Sequence, residues 1–422
     1  MKKQALLIIF AVFFGTMTVQ AEEKTLDSLS EGIPGFVSDL KPTLLLRPRY
    51  ESSSVQNNGR RNANAFTLKT AIGLKAGKLF NVEGLGGHIE ATNVAAFGRN
   101  YDSSSFGTSN KTQYQIVIDP PMTRLTQGYV KYSSSDTEIR AGRTLLTLDD
   151  HRHIGSVGWR QMPQTFGAVS VSNKSIKGLS LYGAYLYERM GIKDEFNNSY
   201  KSASALFNGS YVVNPAIKVT AYGYLLEDLS DTFGGTVGGK TSLNDVTVSY
   251  LGEYAWQTNP SFTDAFNNAT TYINANFYRA SLGATYKGFI LKGDYEVLGS
   301  AKSGATKAFT TPYATLHKFN GWTDVMLAQA AGGGNLNGLR DMYVTVGYKC
   351  KTLGKFLAIY HDFDQARNSG MNYGSEWDFL YARGITKQLS FLTKAGFYKK
   401  GNSGISPSNN TTKFWAQLVY KF

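Results

Sequence analysis

The densest run of residues able to do chemistry is Asp149-Asp150-His151-Arg152-His153, followed closely by Gly158-Trp159-Arg160-Gln161. Carboxylates beside imidazoles are the material of an oxygen-ligated Ca²⁺ site or of an acid–base pair. A hydrolase working at a membrane rim would use Asp149, His151 and His153 in this way, although no Ser–His–acid arrangement emerges around them. The other use of such a run is structural: Asp149, Asp150, His151 and His153 pair with Arg152, Arg160 and pore residues to hold a constriction. Trp159, Trp322 and Phe319 could stack on sugar rings or pack the loops down. Cys350 is the only cysteine, which excludes an internal disulfide. No Cys/His cluster has metal-ligand spacing, so neither a metal nor a cofactor is expected.

The second group of candidates is basic. The chain carries 44 Lys and Arg against 31 Asp and Glu, a formal charge of +13, or +11 without Lys2 and Lys3. No basic run with interleaved aromatics marks a nucleic-acid face, so nucleic acid is not an expected partner. The bases alternate with apolar residues instead: Arg47, Arg49 and Glu51 interleave with Leu44, Leu46, Pro48 and Tyr50. Lys69, Lys131, Arg140, Lys218, Arg279, Lys292, Arg340 and Lys394 also fall on the polar side of alternating stretches or at its end. So do the acids Glu138, Glu188, Glu253, Asp294, Glu296, Glu376 and Asp378. A period of two is a strand with one apolar face.

Eighteen such strands are expected, at about 43–53, 64–76, 85–97, 124–133, 137–146, 165–172, 179–188, 202–211, 217–226, 232–240, 245–258, 272–286, 289–299, 340–349, 354–366, 374–385, 389–398 and 412–422. Connections after even-numbered strands are mostly tight, whereas several after odd-numbered ones are long, notably 147–164 and 300–339. Short turns on one rim and long loops on the other describe a transmembrane antiparallel β-barrel, all-β, with sixteen strands as the runner-up count. The final strand alternates Phe414, Ala416, Leu418, Tyr420 and Phe422 and stops on an aromatic residue. That ending is similar to the signal read by the barrel-assembly machinery. At the other end, Lys2 and Lys3, the apolar run 5–15 and Val19-Gln20-Ala21 form a signal peptide over residues 1–21. Residues 22–42 are expected to be a periplasmic segment, too short for a globular plug, and 43–422 the outer-membrane barrel.

Several motifs resemble the alginate-export family of outer-membrane porins. They are Arg47 to Glu51, Gly142-Arg143, the run from Asp149 to Phe166, Glu253-Tyr254-Ala255 with Gln257, and the late stretch through Leu316-His317-Lys318-Phe319-Asn320-Gly321-Trp322 to Gly338-Leu339-Arg340-Asp341. The resemblance implies a monomeric barrel of about eighteen strands with a basic lumen, some members passing an anionic polysaccharide. It does not transfer a substrate. The expected function is a passive outer-membrane channel in a Gram-negative bacterium, not an enzyme. Arg47, Arg49, Lys69, Lys131, Arg140, Arg143, Arg152, Arg160, Lys218, Arg279, Lys292, Arg340 and Lys394 are expected to line its pore and favour small anionic solutes or acidic saccharides. Loops 147–164 and 300–339 would fold inward, and outer-membrane lipid would surround the wall. An alginate-like export channel and an adhesin or receptor acting through the long loops are the alternatives.

Overall fold

The computed structural model of the protein describes residues 36–103, 111–193, 200–263, 272–367, 370–402, 407 and 409–422. The signal peptide expected over 1–21 and most of the segment 22–42 lie outside the described residues.

Eighteen strands follow one another in the chain. They are β1 (Val37–Val55), β2 (Ala63–Leu79), β3 (Leu85–Asn100), β4 (Met122–Ser134), β5 (Thr137–Thr144) and β6 (Thr165–Asn173). Next come β7 (Leu179–Met190), β8 (Tyr200–Asn214), β9 (Ile217–Leu226), β10 (Ser230–Leu243), β11 (Val246–Thr258) and β12 (Ala275–Tyr286). The last six are β13 (Phe289–Leu298), β14 (Leu339–Cys350), β15 (Gly354–Asp364), β16 (Asn372–Gly384), β17 (Leu389–Lys400) and β18 (Thr411–Lys421). Each strand pairs antiparallel with its chain neighbours, and β1 also pairs with β18, so the sheet closes on itself with no free edge. The seam joins Arg49 to Gln417 and Glu51 to Trp415 as facing residues. β1 begins at Val37, opposite Leu79, so residues 37–42 belong to the barrel rather than to a separate segment.

Alternation sets the two faces. Ile72, Phe97, Phe207, Leu282 and Leu291 stand exposed on the outside, while Thr67, Thr92, Glu253, Asp341 and Asp378 are buried on the inside. A soluble sheet buries its apolar face; this one turns it outward, as a wall facing hydrocarbon must. Connections after even-numbered strands span five residues at most (80–84 and 174–178), which marks that rim as periplasmic. The longest connections, 101–121, 145–164 and 299–338, all leave the opposite rim. The connections 145–164 and 299–338 fold into the lumen, and 101–121 reaches it through Asp119, 3.6 Å from Arg49. The connection 299–338 carries one short helix, α1 (Leu327–Gly332), ended by Gly333 at φ 61°.

Candidate pore constriction and lumen

The inward faces of β1 and β18 present Arg47, Arg49, Glu51, Trp415 and Gln417 at mid-height, and the loop 145–164 lies against them. Arg47 donates to Gln161 Oε1 (2.8 Å), to the Gly158 carbonyl (2.8 Å) and to the Arg160 carbonyl. Arg49 donates to Gln417 Oε1 (2.7 Å) and to the Trp159 carbonyl (2.6 Å), and its guanidinium lies 4.2 Å from the Trp159 ring centre. Asp119 stands 3.6 Å from Arg49 and accepts from the Gln161 amide (2.8 Å). Arg160 is the hub, bonded to Glu51 (2.9 Å) and Asp324 (2.9 Å), with Asp119 at 3.9 Å. Burial works against the charge of Arg160, but Glu51, Asp119 and Asp324 outweigh it and hold the guanidinium protonated. Arg47 and Arg49 face inward, but the hydrogen bonds of Arg47 go to the loop and those of Arg49 to the loop and to Gln417 on β18, and Arg49 is 0% exposed.

The run Asp149 to His153 does not converge on a common point. Asp149 takes Asn208 (2.7 Å) and Tyr224. Asp150 takes Lys318 and stands 3.6 Å from Arg279. His151 faces Thr315, and His153 joins Glu253 (3.1 Å) and Tyr222 (3.0 Å). Arg152 donates to Glu296 (2.8 Å) and lies over Phe319. Three consecutive positive φ values, 45°, 60° and 70° at Asp149, Asp150 and His151, splay these side chains to separate walls. The carboxylates and imidazoles of the run do not pair with one another, and among the described residues no group of three His, Cys, Asp or Glu could hold a metal ion.

The late loop is seated by carboxylates. Asn320 donates to Glu296 (2.8 Å) and Asp341 (3.2 Å), the Trp322 amide to Asp378 (3.0 Å), and the Thr323 amide to Glu376 (2.7 Å). Gly321 sits at φ 82°, and a Cβ there would meet Glu376 at 2.7 Å, so only glycine fits over that carboxylate. Gln257 accepts from the Thr310 amide (2.9 Å) and donates to the Thr310 carbonyl (2.9 Å). His317 stacks on Trp159 at 4.4 Å and meets Asp324 at 2.7 Å and Lys394 at 3.1 Å. Lys394 lies 3.6 Å from the Trp322 ring and 4.2 Å from that of Trp159. Burial drives the His317 pKa well below its ordinary value against the pull of Asp324, so the ring is neutral. Burial pushes the Asp324 carboxyl up, yet the hydrogen bond from His317 and the charges of Lys413 and Arg160 overcome it and the carboxyl stays ionised. Trp159, Trp322 and Phe319 are thus engaged in packing the two loops together.

Of the remaining basic residues, Lys69, Lys131, Arg140, Lys218, Arg279, Lys292 and Lys394 face inward. Lys131 and Arg140 share Glu138, Lys292 meets Asp294 (2.6 Å), and Arg279 meets Glu253 (2.8 Å). Arg143 and Arg340 do not. Arg143 aligns with Gly167 and then Glu188, while Thr144 aligns with Phe166 and Arg189, which touch the loops inside. Arg143 and Glu188 therefore lie on the outer face, joined at 2.8 and 2.9 Å. The reason is local: Arg143 stands three residues past inward-facing Arg140, so plain alternation turns it outward, and the register shifts beside Gly167 and Leu186 turn Glu188 out to meet it. Arg340 sits between buried Leu339 and Asp341, so it too points outward, where Asp362 and Asp364 neutralise it.

Alternation in the sequence found Glu51, Glu253 and Glu376 on the polar face. Asp119, His317 and Asp324, carried by loops without periodicity, left no such signal. Lys349, Lys355 and Lys421 sit at strand ends where alternation applies and would have found them. The charge that results is uneven. At mid-height cations and carboxylates are matched within the network around Arg160, Arg152 and Lys394. Toward the periplasmic rim Lys75, Lys131, Arg140, Lys218, Lys240, Lys292, Lys349, Lys355 and Lys421 outnumber Glu90, Glu138 and Asp294 on the inner face.

No protein-family model matches the sequence, and no curated protein does. Solved structures do. OccK8 (OprE) of Pseudomonas aeruginosa superposes with a TM-score of 0.67 at 16% identity, over 92% of this chain and 99% of that one. OccAB2 of Acinetobacter baumannii gives 0.69 at 17% identity, over 92% and 99%. The outer membrane protein OpdK of Pseudomonas aeruginosa gives 0.69 at 13% identity, over 92% and 100%. These neighbours carry Occ and Opd names; they support the general porin-type barrel and give no support to the narrower alginate-export resemblance. The fold is that of these solved structures: a closed eighteen-stranded antiparallel barrel.

Proposed function

We propose that the chain is a passive diffusion channel of the outer membrane of a Gram-negative bacterium, favouring anionic or acidic small solutes. The observation that carries this reading is a closed barrel with an apolar outside, a polar inside and an unmatched lysine excess on the inner face near the periplasmic rim. A water-filled path lined by excess positive charge concentrates anions and repels cations. OpdK, a neighbour in fold, has been solved with vanillate, itself a small acid. The narrower reading, an anionic-polysaccharide export channel, calls for free guanidinium forks along the path. Arg47, Arg49, Arg152, Arg160 and Arg279 are instead committed to protein acceptors, which favours the small-solute channel. Recognition of the closing strand, ending at Phe422, by the barrel-assembly machinery belongs to the same reading. Purified protein in a planar bilayer should give discrete conductance steps and, under a KCl gradient, a reversal potential of anion-selective sign. Absence of steps would overturn the channel, and a cation-selective sign would overturn the preference.

A further inference from the structure

The inner wall formed by β14 to β18 at the periplasmic mouth encloses a cavity of about 560 Å³. Lys349, Lys351, Lys355, Arg383, Lys387 and Lys421 line it, and no Asp or Glu does. Among the described residues none of these lysines has a carboxylate within ion-pair distance, whereas Lys131, Lys292 and Lys413 each have one. Lys349 and Lys355 moreover stand directly opposite each other across β14 and β15. Like charges in that arrangement destabilise a sheet, and among the described residues no carboxylate pairs with either of them. The cavity on the facing wall is different in kind, because Asp149 and Asp150 sit there with Lys218, Arg279 and Lys292.

We propose that this lysine-lined cavity is a binding site for a polyvalent, phosphate-type oxyanion arriving from the periplasmic side, which deepens the channel reading and rests on it. Several ammonium groups around one space suit an anion carrying several charges; a single carboxylate would leave most of them unmatched. Lysine is a compact point charge with freely turning donors, which suits phosphate oxygens and needs no planar fork. Such an anion, once seated, stands in the mouth and obstructs the current, and it does so from one side only.

The test uses the full-length protein in planar bilayers, with inorganic tripolyphosphate added first to one chamber and then to the other. Each single channel should be blocked from one chamber alone, with inorganic monophosphate much weaker. The doublet K349Q/K355Q, and K421Q separately, should keep open-channel steps while weakening the block at least about tenfold. Equal block from both chambers, or unchanged block in the doublet, overturns the site. The same variants in bilayers of purely zwitterionic lipid and in bilayers containing phosphatidylglycerol distinguish a free anion from a lipid headgroup. One-sided closures that appear with phosphatidylglycerol alone, before any tripolyphosphate, overturn the soluble ligand. If wild-type protein gives no steps at all, the channel reading fails; steps without one-sided block sink only the site.

Discussion

Arg160 illustrates how much of this lumen depends on single charges. It touches Glu51 and Asp324, with Asp119 close by, and all four groups are nearly fully buried. Removing the guanidinium leaves three carboxylates without their common partner, a loss of about 3–5 kcal/mol for a buried network of this kind. The wall cannot move, so the loops must. Arg160→Ala is expected to release the loop 145–164 from β1 and to raise single-channel conductance, whereas Arg49→Lys should retain part of the docking through Asp119. Unchanged conductance in Arg160→Ala would show that the loop is held elsewhere. The sequence offered Arg160 both as a pore-lining base and as a holder of a constriction, but it pointed to Asp149, Asp150, His151 and His153 as partners rather than to Glu51, Asp119 and Asp324. Its partners explain the difference: Asp119 and Asp324 lie on loops, where neither alternation nor spacing predicts which wall a side chain will reach. The strands were legible for the opposite reason. A residue facing lipid must be apolar at nearly every second position, so Phe414, Leu418 and Phe422 state the face of β18 unaided.

At the scale of elements, the loop 299–338 behaves as a docked unit whose latch contains a neutral histidine. His317 has a folded pKa below its ordinary 6.5, held there first by burial and then by Lys394 and Arg160 nearby. An undocked loop would take up a proton below 6.5 that the docked loop refuses, so docking is fully stable above that pH and weakens as the pH falls below it. Asp324 acts in the same direction but only in stronger acid, since its docked form stays ionised below the usual carboxylate range. Current noise from loop movement should therefore grow between about pH 6.5 and about pH 5, and His317→Gln should remove that dependence. A flat response in the wild type would exclude the latch. The outward pair Arg143–Glu188 gives a second test at this scale, because the register shift beside Gly167 is what turns Glu188 outward to meet Arg143. Arg143→Leu leaves Glu188 alone on the outer wall and should cost about 1–3 kcal/mol, whereas Arg143→Leu with Glu188→Leu should recover most of it. The temperature at which the folded gel band disappears measures both. Equal losses in the single and double variants would place the pair inside, contrary to the strand pairing.

For the whole molecule, the distribution of charge matters more than its sum. The formal excess of +13 suggests a lumen basic throughout, but the matched network at mid-height and the unmatched lysines at one rim divide it into unlike regions. A pore charged at one end accumulates its counter-ion when the field drives that ion inward from the charged end and is depleted of it when the field reverses. Current at low salt should then depend on the sign of the voltage. The lysines at the mouth are water-exposed, so their reach shrinks with the Debye length, from about 10 Å at 0.1 M salt to about 3 Å at 1 M. Rectification should be clear in dilute KCl and should vanish toward 1 M. Arg160 and its carboxylates are buried and little screened, so rectification that survives high salt would assign the asymmetry to the constriction instead. Neutralising Lys349, Lys355 and Lys421 together with glutamine should make the low-salt current symmetric while leaving the 1 M conductance nearly unchanged, since none of the three touches the loops that narrow the lumen. If the triple variant still rectifies in dilute salt, the charge that shapes the current lies above the periplasmic mouth.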